Sequence, residues 1–241
     1  MKRVSLIIFP LILITSSCVL AFPFDGIVGN GKVITAALPV AGFSAVRNMT
    51  SAKVLVNRGA SASAKATVDE NILEALDIHV DNGVLIISTR PGKSIYHATE
   101  FAVHVTLASL SELGVYGSGD ILVSDRFSGH AIQLSILGSG DISGSFDYDE
   151  LAASIMGSGE IRLAGISDYF KGTIAGSGDI HGDSLTAARA IATINGSGSC
   201  TLRVNEALDA RIYGSGSVYY YGSPMVSQID AGSGSLRQLA F

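Results

Sequence analysis

Cysteine is nearly absent from this chain of 241 residues, with only Cys18 and Cys200 present. If Cys18 is removed with a leader, Cys200 has no disulfide partner. The five histidines, His79, His97, His104, His130 and His181, include no two at metal-ligand spacing, and none joins a cysteine in a zinc pattern. Charge is sparse as well. Charged residues make up 15% of the chain and the formal net charge is −5, which gives no basic footprint for nucleic acid. No Gly-x-Ser-x-Gly occurs, so there is no nucleophile elbow. Glycine-rich runs such as Gly138 to Gly144 resemble half a dinucleotide fingerprint but lack its βαβ context. No apolar run is long enough to span a bilayer as a helix, and no helical pattern exceeds two turns.

What the chain does have is glycine in a fixed rhythm. Gly117-Ser118-Gly119-Asp120 returns as Gly138-Ser139-Gly140-Asp141, Gly157-Ser158-Gly159-Glu160 and Gly176-Ser177-Gly178-Asp179. It returns three more times ending in serine: Gly196-Ser197-Gly198-Ser199, Gly214-Ser215-Gly216-Ser217 and Gly232-Ser233-Gly234-Ser235. The steps are 21, 19, 19, 20, 18 and 18 residues, the signature of a stacked repeat.

The flanks identify the repeat as β. Stepping back by twos from the motif gives Ile136, Leu134 and Ile132, then Ile155, Ala153 and Leu151, then Ile212, Ala210 and Leu208. The residues between include Ser135, Gln133, Ser154, Thr173, Lys171 and Arg211. This period of two predicts a half-buried strand before each motif. After it stand Ile121, Ile142, Ile161, Ile180, Cys200, Val218 and Leu236, which predict a second inward-facing strand. Strand, corner, strand and loop make one coil of a β-helix, and stacked coils supply each other's core. Glycine at the corner is expected for positive φ and for the crowding of backbones ~4.8 Å apart.

The first 21 residues read as an export signal: Lys2-Arg3, an apolar run from Val4 to Ile14, then Thr15 to Ala21. Two processing routes compete. Val19-Leu20-Ala21 resembles a small-x-small site cut before Phe22. Thr15-Ser16-Ser17-Cys18 resembles a lipobox, with Thr15 where that pattern has Leu, and would place a diacyl anchor on Cys18. Residues 22–33 read as linker. An N-terminal β segment, 34–110, follows, with strands at 43–47, 53–57 and 63–68, a short turn at 70–75 and a hairpin, 76–80 and 84–88, turned by Asn82-Gly83. Residues 90–99 read as a loop around Pro91-Gly92, and 101–107 as a strand. The coils occupy 111–241.

Gly42-Phe43-Ser44-Ala45-Val46, Asp81-Asn82-Gly83-Val84-Leu85-Ile86-Ile87, the approach Val103 to Leu113 and the closing Tyr221-Gly222-Ser223-Pro224 occur here in an order that resembles one family. It is the putative auto-transporter adhesin, head GIN domain, of exported bacterial proteins. The resemblance covers residues 34–241 as one domain. It implies an all-β fold, a single-stranded, right-handed parallel β-helix. It implies no catalytic or binding residues and no cofactor.

Candidate site residues are few. Asp120, Asp141, Glu160 and Asp179 form a column ~5 Å apart if the coils stack in register. Such a column either binds Ca²⁺ or spends its oxygens on turn amides, and the second is the expectation. Asp125-Arg126, Asp147, Asp149 and Glu150 read as solvated loops, or else as the groove of a carbohydrate-active enzyme. Cys200 sits in an apolar column and reads as a small buried hydrophobe. Asn48-Met49-Thr50 and Asn195-Gly196-Ser197 are sequons read as chance matches. The residues before the glycines, Tyr116, Leu137, Met156, Ala175, Asn195, Tyr213 and Ala231, should point outward by alternation. Tyr116, Leu137 and Met156 are therefore candidates for partner contact, unless the corner twists them inward or a loop covers them. The sequence thus points to an exported, non-enzymatic binding or adhesion module, located in the periplasm, at the outer-membrane surface or secreted. Its partner would be a surface glycan or protein, with membrane contact only through a lipidated Cys18. The other two readings are a carbohydrate-active β-helix enzyme and a lipid-anchored structural protein.

Mass spectrometry of the exported protein should find Phe22 as its first residue; a diacylated Cys18 overturns that route.

Overall fold

The structure, a computed structural model, describes residues 26–240, so the leader and Cys18 lie outside the described residues. Strands account for 65% of it and helix for 2%, which makes the fold all-β. The N-terminal segment contributes β1 (Gly26–Val28), β2 (Val33–Leu38), β3 (Ala45–Asn48), β4 (Lys53–Arg58), β5 (Ser63–Asp69), the one-turn α1 (Glu70–Leu73), β6 (Leu76–Asp81), β7 (Val84–Thr89), β8 (Ser94–His97) and β9 (Phe101–Leu107). Three short strands, β1, β2 and β8, form where no strand was expected. β1 arises within the linker stretch, β8 within the loop around Pro91, and they pair in parallel.

The repeats contribute β10 (Glu112–Val115), β11 (Ile121–Val123), β12 (Phe127–Ile136), β13 (Ile142–Ile155), β14 (Glu160–Ile174), β15 (Asp179–Ile194), β16 (Ser199–Ile212), β17 (Ser217–Tyr221), β18 (Met225–Asp230) and β19 (Ser235–Gln238). They form a β-solenoid of about seven turns with ~19-residue spacing. Ladders between successive coils are parallel and in register. Ile136, Ile155, Ile174, Ile194 and Ile212 stack as one column before the corner. Ile121, Ile142, Ile161, Ile180, Cys200 and Val218 stack as another after it. Every member of both is buried, and each isoleucine withdrawn from water contributes on the order of 1.5–3 kcal/mol. The loop expected between coils is instead continuous strand: β13 to β16 run 14 to 16 residues.

The N-terminal segment is part of the stack. β3 and β4 lie parallel to β10 and β11 and form a coil beneath the first glycine corner. β7 and β9 form a further parallel layer under them. Antiparallel β6, β5 and β2 then close that end. The coil from β3 to β4 turns without glycine. Buried Asn48 donates through Nδ2 to the Ala52 carbonyl (2.7 Å) and accepts through Oδ1 from the Thr50 amide and hydroxyl (3.1 and 2.8 Å). That side chain is the corner brace, and it is wholly withdrawn from solvent.

Another buried polar group ties down the chain's entry. Asp69, fully buried, accepts from the Gly31 amide (2.8 Å) and the Thr99 amide (2.7 Å). Desolvation pushes its carboxyl up, but the Thr99, Gly31 and Glu100 amides outweigh this and hold it below the usual carboxylate range. At the far end, β18 and β19 each pair on one side only. There Gln228 takes the register position of Ala210, so a polar residue stands in a column that another coil would need.

The corner glycines require one correction. Of the fourteen, only Gly176 has positive φ (154°). The requirement at the others is close approach. The Ser158 amide donates to the Gly138 carbonyl (3.2 Å), and the Ser177 amide to the Gly157 carbonyl (3.1 Å). This places each carbonyl directly under the next coil's glycine. A Cβ on Gly157 would lie 2.1 Å from the Gly138 oxygen, and one on Gly159 2.1 Å from the Gly140 oxygen. Backbone occupies the space, so any side chain must push two coils apart.

Gly157→Ala should therefore destabilise by about 1–3 kcal/mol, the usual overpacking cost, and Gly157→Val by more. Exposed Ser158→Ala should stay within ~0.5 kcal/mol. Urea or thermal melts measure both, and an unchanged melt for Gly157→Val removes the close-contact account.

Candidate functional site

The corners line up as a ridge, and the residue preceding each pair of glycines lies along it. Each donates its amide to the coil below: Leu137 to Val115, Met156 to Ile136, Ala175 to Ile155 and Tyr213 to Ile194, at 2.7–2.8 Å. That bond fixes the residue directly after each strand, and alternation turns its side chain out. Tyr116 is 37% exposed, Leu137 42%, Met156 52% and Tyr213 48%. Neither an inward twist nor a covering loop hides them. Ala175, Asn195 and Ala231 complete the column and are also exposed. The stripe extends one rung further than the repeats suggest. The Tyr116 amide donates to Asn48 (2.8 Å), so Met49, 53% exposed, stands beneath Tyr116. The signal for Met49 was present but disguised, because Asn48 ends its strand at the same rung as Val115. The Arg47 guanidinium, paired with Glu112 at 2.7 Å, sits 6.0 Å over the Tyr116 ring and fixes that edge.

On the other side of the corner run the acidic residues. Three of the four spend an oxygen on the next coil. Asp120 Oδ1 accepts the Asp141 amide (3.0 Å), Asp141 Oδ1 the Glu160 amide (2.8 Å) and Asp179 Oδ1 the Ser199 amide and hydroxyl (2.6 Å each). Charge-assisted bonds of this kind are worth roughly 1.5–3 kcal/mol each. The column acts as a rung-to-rung clamp. Where serine replaces aspartate the clamp becomes neutral, with Ser217 and Ser235 hydroxyls 3.1 Å apart. Glu160 differs: it engages the side chains of Arg162 and His181.

The other acidic residues also brace coils. Asp125 accepts the Arg58 amide (2.8 Å), and Asp147 accepts the Ile166 amide (3.1 Å) while pairing with Arg126 (3.2 Å). Asp149 holds His130 at 2.8 Å, and this hydrogen bond and charge raise the imidazole pKa. These carboxylates point to neighbouring amides and cations and share no common groove.

The family profile described as "Putative auto-transporter adhesin, head GIN domain" matches residues 42–224. A crystal structure of a putative adhesin from Bacteroides fragilis superposes with a TM-score of 0.83 at 23% identity, covering 89% of this chain and 100% of that one. A putative lipid binding protein from Parabacteroides distasonis gives 0.74 at 26% identity, covering 89% and 99%. A putative adhesin from Parabacteroides merdae gives 0.68 at 23%, covering 90% and 100%. No curated protein matches the chain.

The lone described thiol lies away from the ridge. Cys200 is buried between Ile180 and Val218, and burial, with the Asp179 charge adding, pushes its pKa up to about 12. At pH 8 almost none is thiolate, and the thiolate is the reactive form. Iodoacetamide should leave Cys200 unmodified in the folded protein over hours and modify it within minutes in guanidinium, as read by peptide mass. Rapid native labelling would contradict a core role for this residue.

Proposed function

Since the chain belongs to the family of the putative auto-transporter adhesin, head GIN domain, we propose that it is an exported, non-catalytic binding protein of the bacterial cell envelope. Its partner contact runs along the ridge through Tyr116, Leu137 and Met156. The observation that carries this reading is the stripe. Rigid coils hold four large apolar side chains, Met49 to Met156, in line at ~4.8 Å steps with their surfaces in water. A sequence under no other demand would place polar residues at outward positions, as it does at the exposed Gln133 and Lys171 on the adjoining face. Tyr and Met are enriched where proteins meet. The side chains are presented by strand ends and not by loops, so little ordering entropy opposes contact. The acidic residues support the non-catalytic reading because their oxygens are engaged in joining coils. The ligand class is a surface protein or glycan. The relative that is 26% identical is a putative lipid binding protein, which adds lipid as a competitor to include in any screen.

An array of glycans, matrix proteins and lipid vesicles, probed with the purified protein, tests the reading. Any partner found should bind Leu137→Asp at least ~10-fold more weakly, because a charge would then sit within an apolar contact. The same variant should melt within a few degrees of the wild type, since Leu137 is solvent-exposed. A loss of several kcal/mol in stability would make Leu137 structural, and unchanged binding would move the contact off the ridge.

A further inference from the structure

Across the corner from the apolar stripe, one group of metal-ligating side chains converges among the described residues. Ligand atoms of Glu160, Asp179 and His181 all lie within 4.8 Å of one another. The register brings them together, since Glu160 faces Asp179 one coil on and Arg162 faces His181. From this geometry we infer that the step between these two coils is a binding site for a zinc-type divalent cation, with His181 Nε2 and one carboxylate oxygen each from Glu160 and Asp179 as ligands.

The spacing suits such an ion. His181 Nε2 and Glu160 Oε2 are 3.4 Å apart. Two ligands at ~2.0–2.1 Å from a tetrahedral zinc ion stand about 3.4 Å from each other. The pair therefore already forms one edge of the coordination shell. Asp179 is aimed by its neighbours: Oδ1 accepts both the amide and the hydroxyl of Ser199. Those bonds fix the carboxylate plane in the way outer partners orient metal ligands.

Charge and space favour the same occupant. Four carboxylates, Asp141, Glu160, Asp179 and Asp183, lie around this step, where Arg162 pairs with Glu160 and Asp141 and Arg203 is held on the Asp183 main-chain carbonyl. Arg162 now bonds Glu160 through Nη2, but its Nη1 lies 3.6 Å from Asp141 Oδ2. It has a second carboxylate to turn to when Glu160 takes the ion. Beside His181, the coil departs from register between Gly182 and Thr186, and a depression of about 430 Å³ opens against Asp183, Ser184 and Ser143. That leaves room for water or a partner oxygen as fourth ligand. One imidazole with two carboxylates suits zinc-type ions, whereas Ca²⁺ wants six to eight oxygens. Elsewhere in the column the set is incomplete, because Leu122 and Ser143 stand where His181 does.

The test is calorimetric titration of the chelator-stripped protein, prepared without a histidine tag, with ZnCl2. One saturable site per chain is expected. His181→Ala, His181→Asn and Glu160→Gln should each weaken it by more than the ~10-fold that even an outer-shell partner contributes, while Asp120→Asn leaves it unchanged. Metal-free circular dichroism and melts of the His181 and Glu160 variants should match the wild type, because both residues are partly exposed. A cobalt-loaded sample should show the visible bands of tetrahedral Co²⁺, absent in His181→Ala. The inference is overturned by the lack of saturable binding, by His181→Ala binding like wild type, by an equal loss in Asp120→Asn, which indicates diffuse counterions, or by displacement with an equal concentration of Ca²⁺.

Discussion

The rest of this molecule depends on a contact between backbones. The carbonyl of one corner glycine lies where the Cβ of the next coil's glycine would be, as the 2.1 Å separation at Gly157 shows. The same oxygen accepts the next serine amide. Coil spacing at the corner is thus set by a hydrogen bond between main chains and not by side-chain volume. Everything on either side inherits that spacing. The isoleucines of the core columns stack in register within one buried cluster, and the aspartates reach the amide one rung up. The ridge residues stay in file because their own amides are engaged below. A single side chain at a corner would disturb the apolar column, the polar clamp and the exposed stripe together.

Two polar devices handle what the repeat cannot. At the N-terminal side Asn48 turns a coil by spending three of the four hydrogen bonds its side-chain amide can make. Beyond it, antiparallel strands meet the parallel stack so that its first layer is covered. At the opposite end Gln228 interrupts a column otherwise built of Leu134, Ala153, Gly172, Ala192 and Ala210. Terminal repeats of solenoids commonly depart from the consensus in this way, since their outer side meets water.

The period was legible because every coil restates it. Seven corners at 18 to 21 residues and the flanking alternation lead directly to stacked strands, and alternation also points Tyr116, Leu137 and Met156 outward. Of the two grounds expected for glycine, backbone crowding holds at the corners and positive φ holds only at Gly176. Positive φ is a local property that sequence can suggest, whereas the approach of another coil depends on register. The coil of β3 and β4 escaped notice because Asn48 does with a side chain what glycine does elsewhere. The grouping of Glu160, Asp179 and His181 was hidden for a related reason. Its members are 19 and 21 residues from Glu160 in the chain, and only the stacking makes them neighbours. Motif spacing along one strand has no means of reporting ligands contributed by two.

The direction of the inter-coil hydrogen bonds has a mechanical consequence. They run along the solenoid axis, so tension along that axis loads the coil interfaces in series, and the weakest one yields while its neighbours remain whole. Tension along the strands loads all the bonds of an interface in shear at once. The protein is therefore stiff in one direction and prone to unzip in the other. The ridge, which crosses every coil, lies along the weaker direction. A partner attached over several rungs would splint the stack against that failure, whereas one gripping a single rung would concentrate the force there.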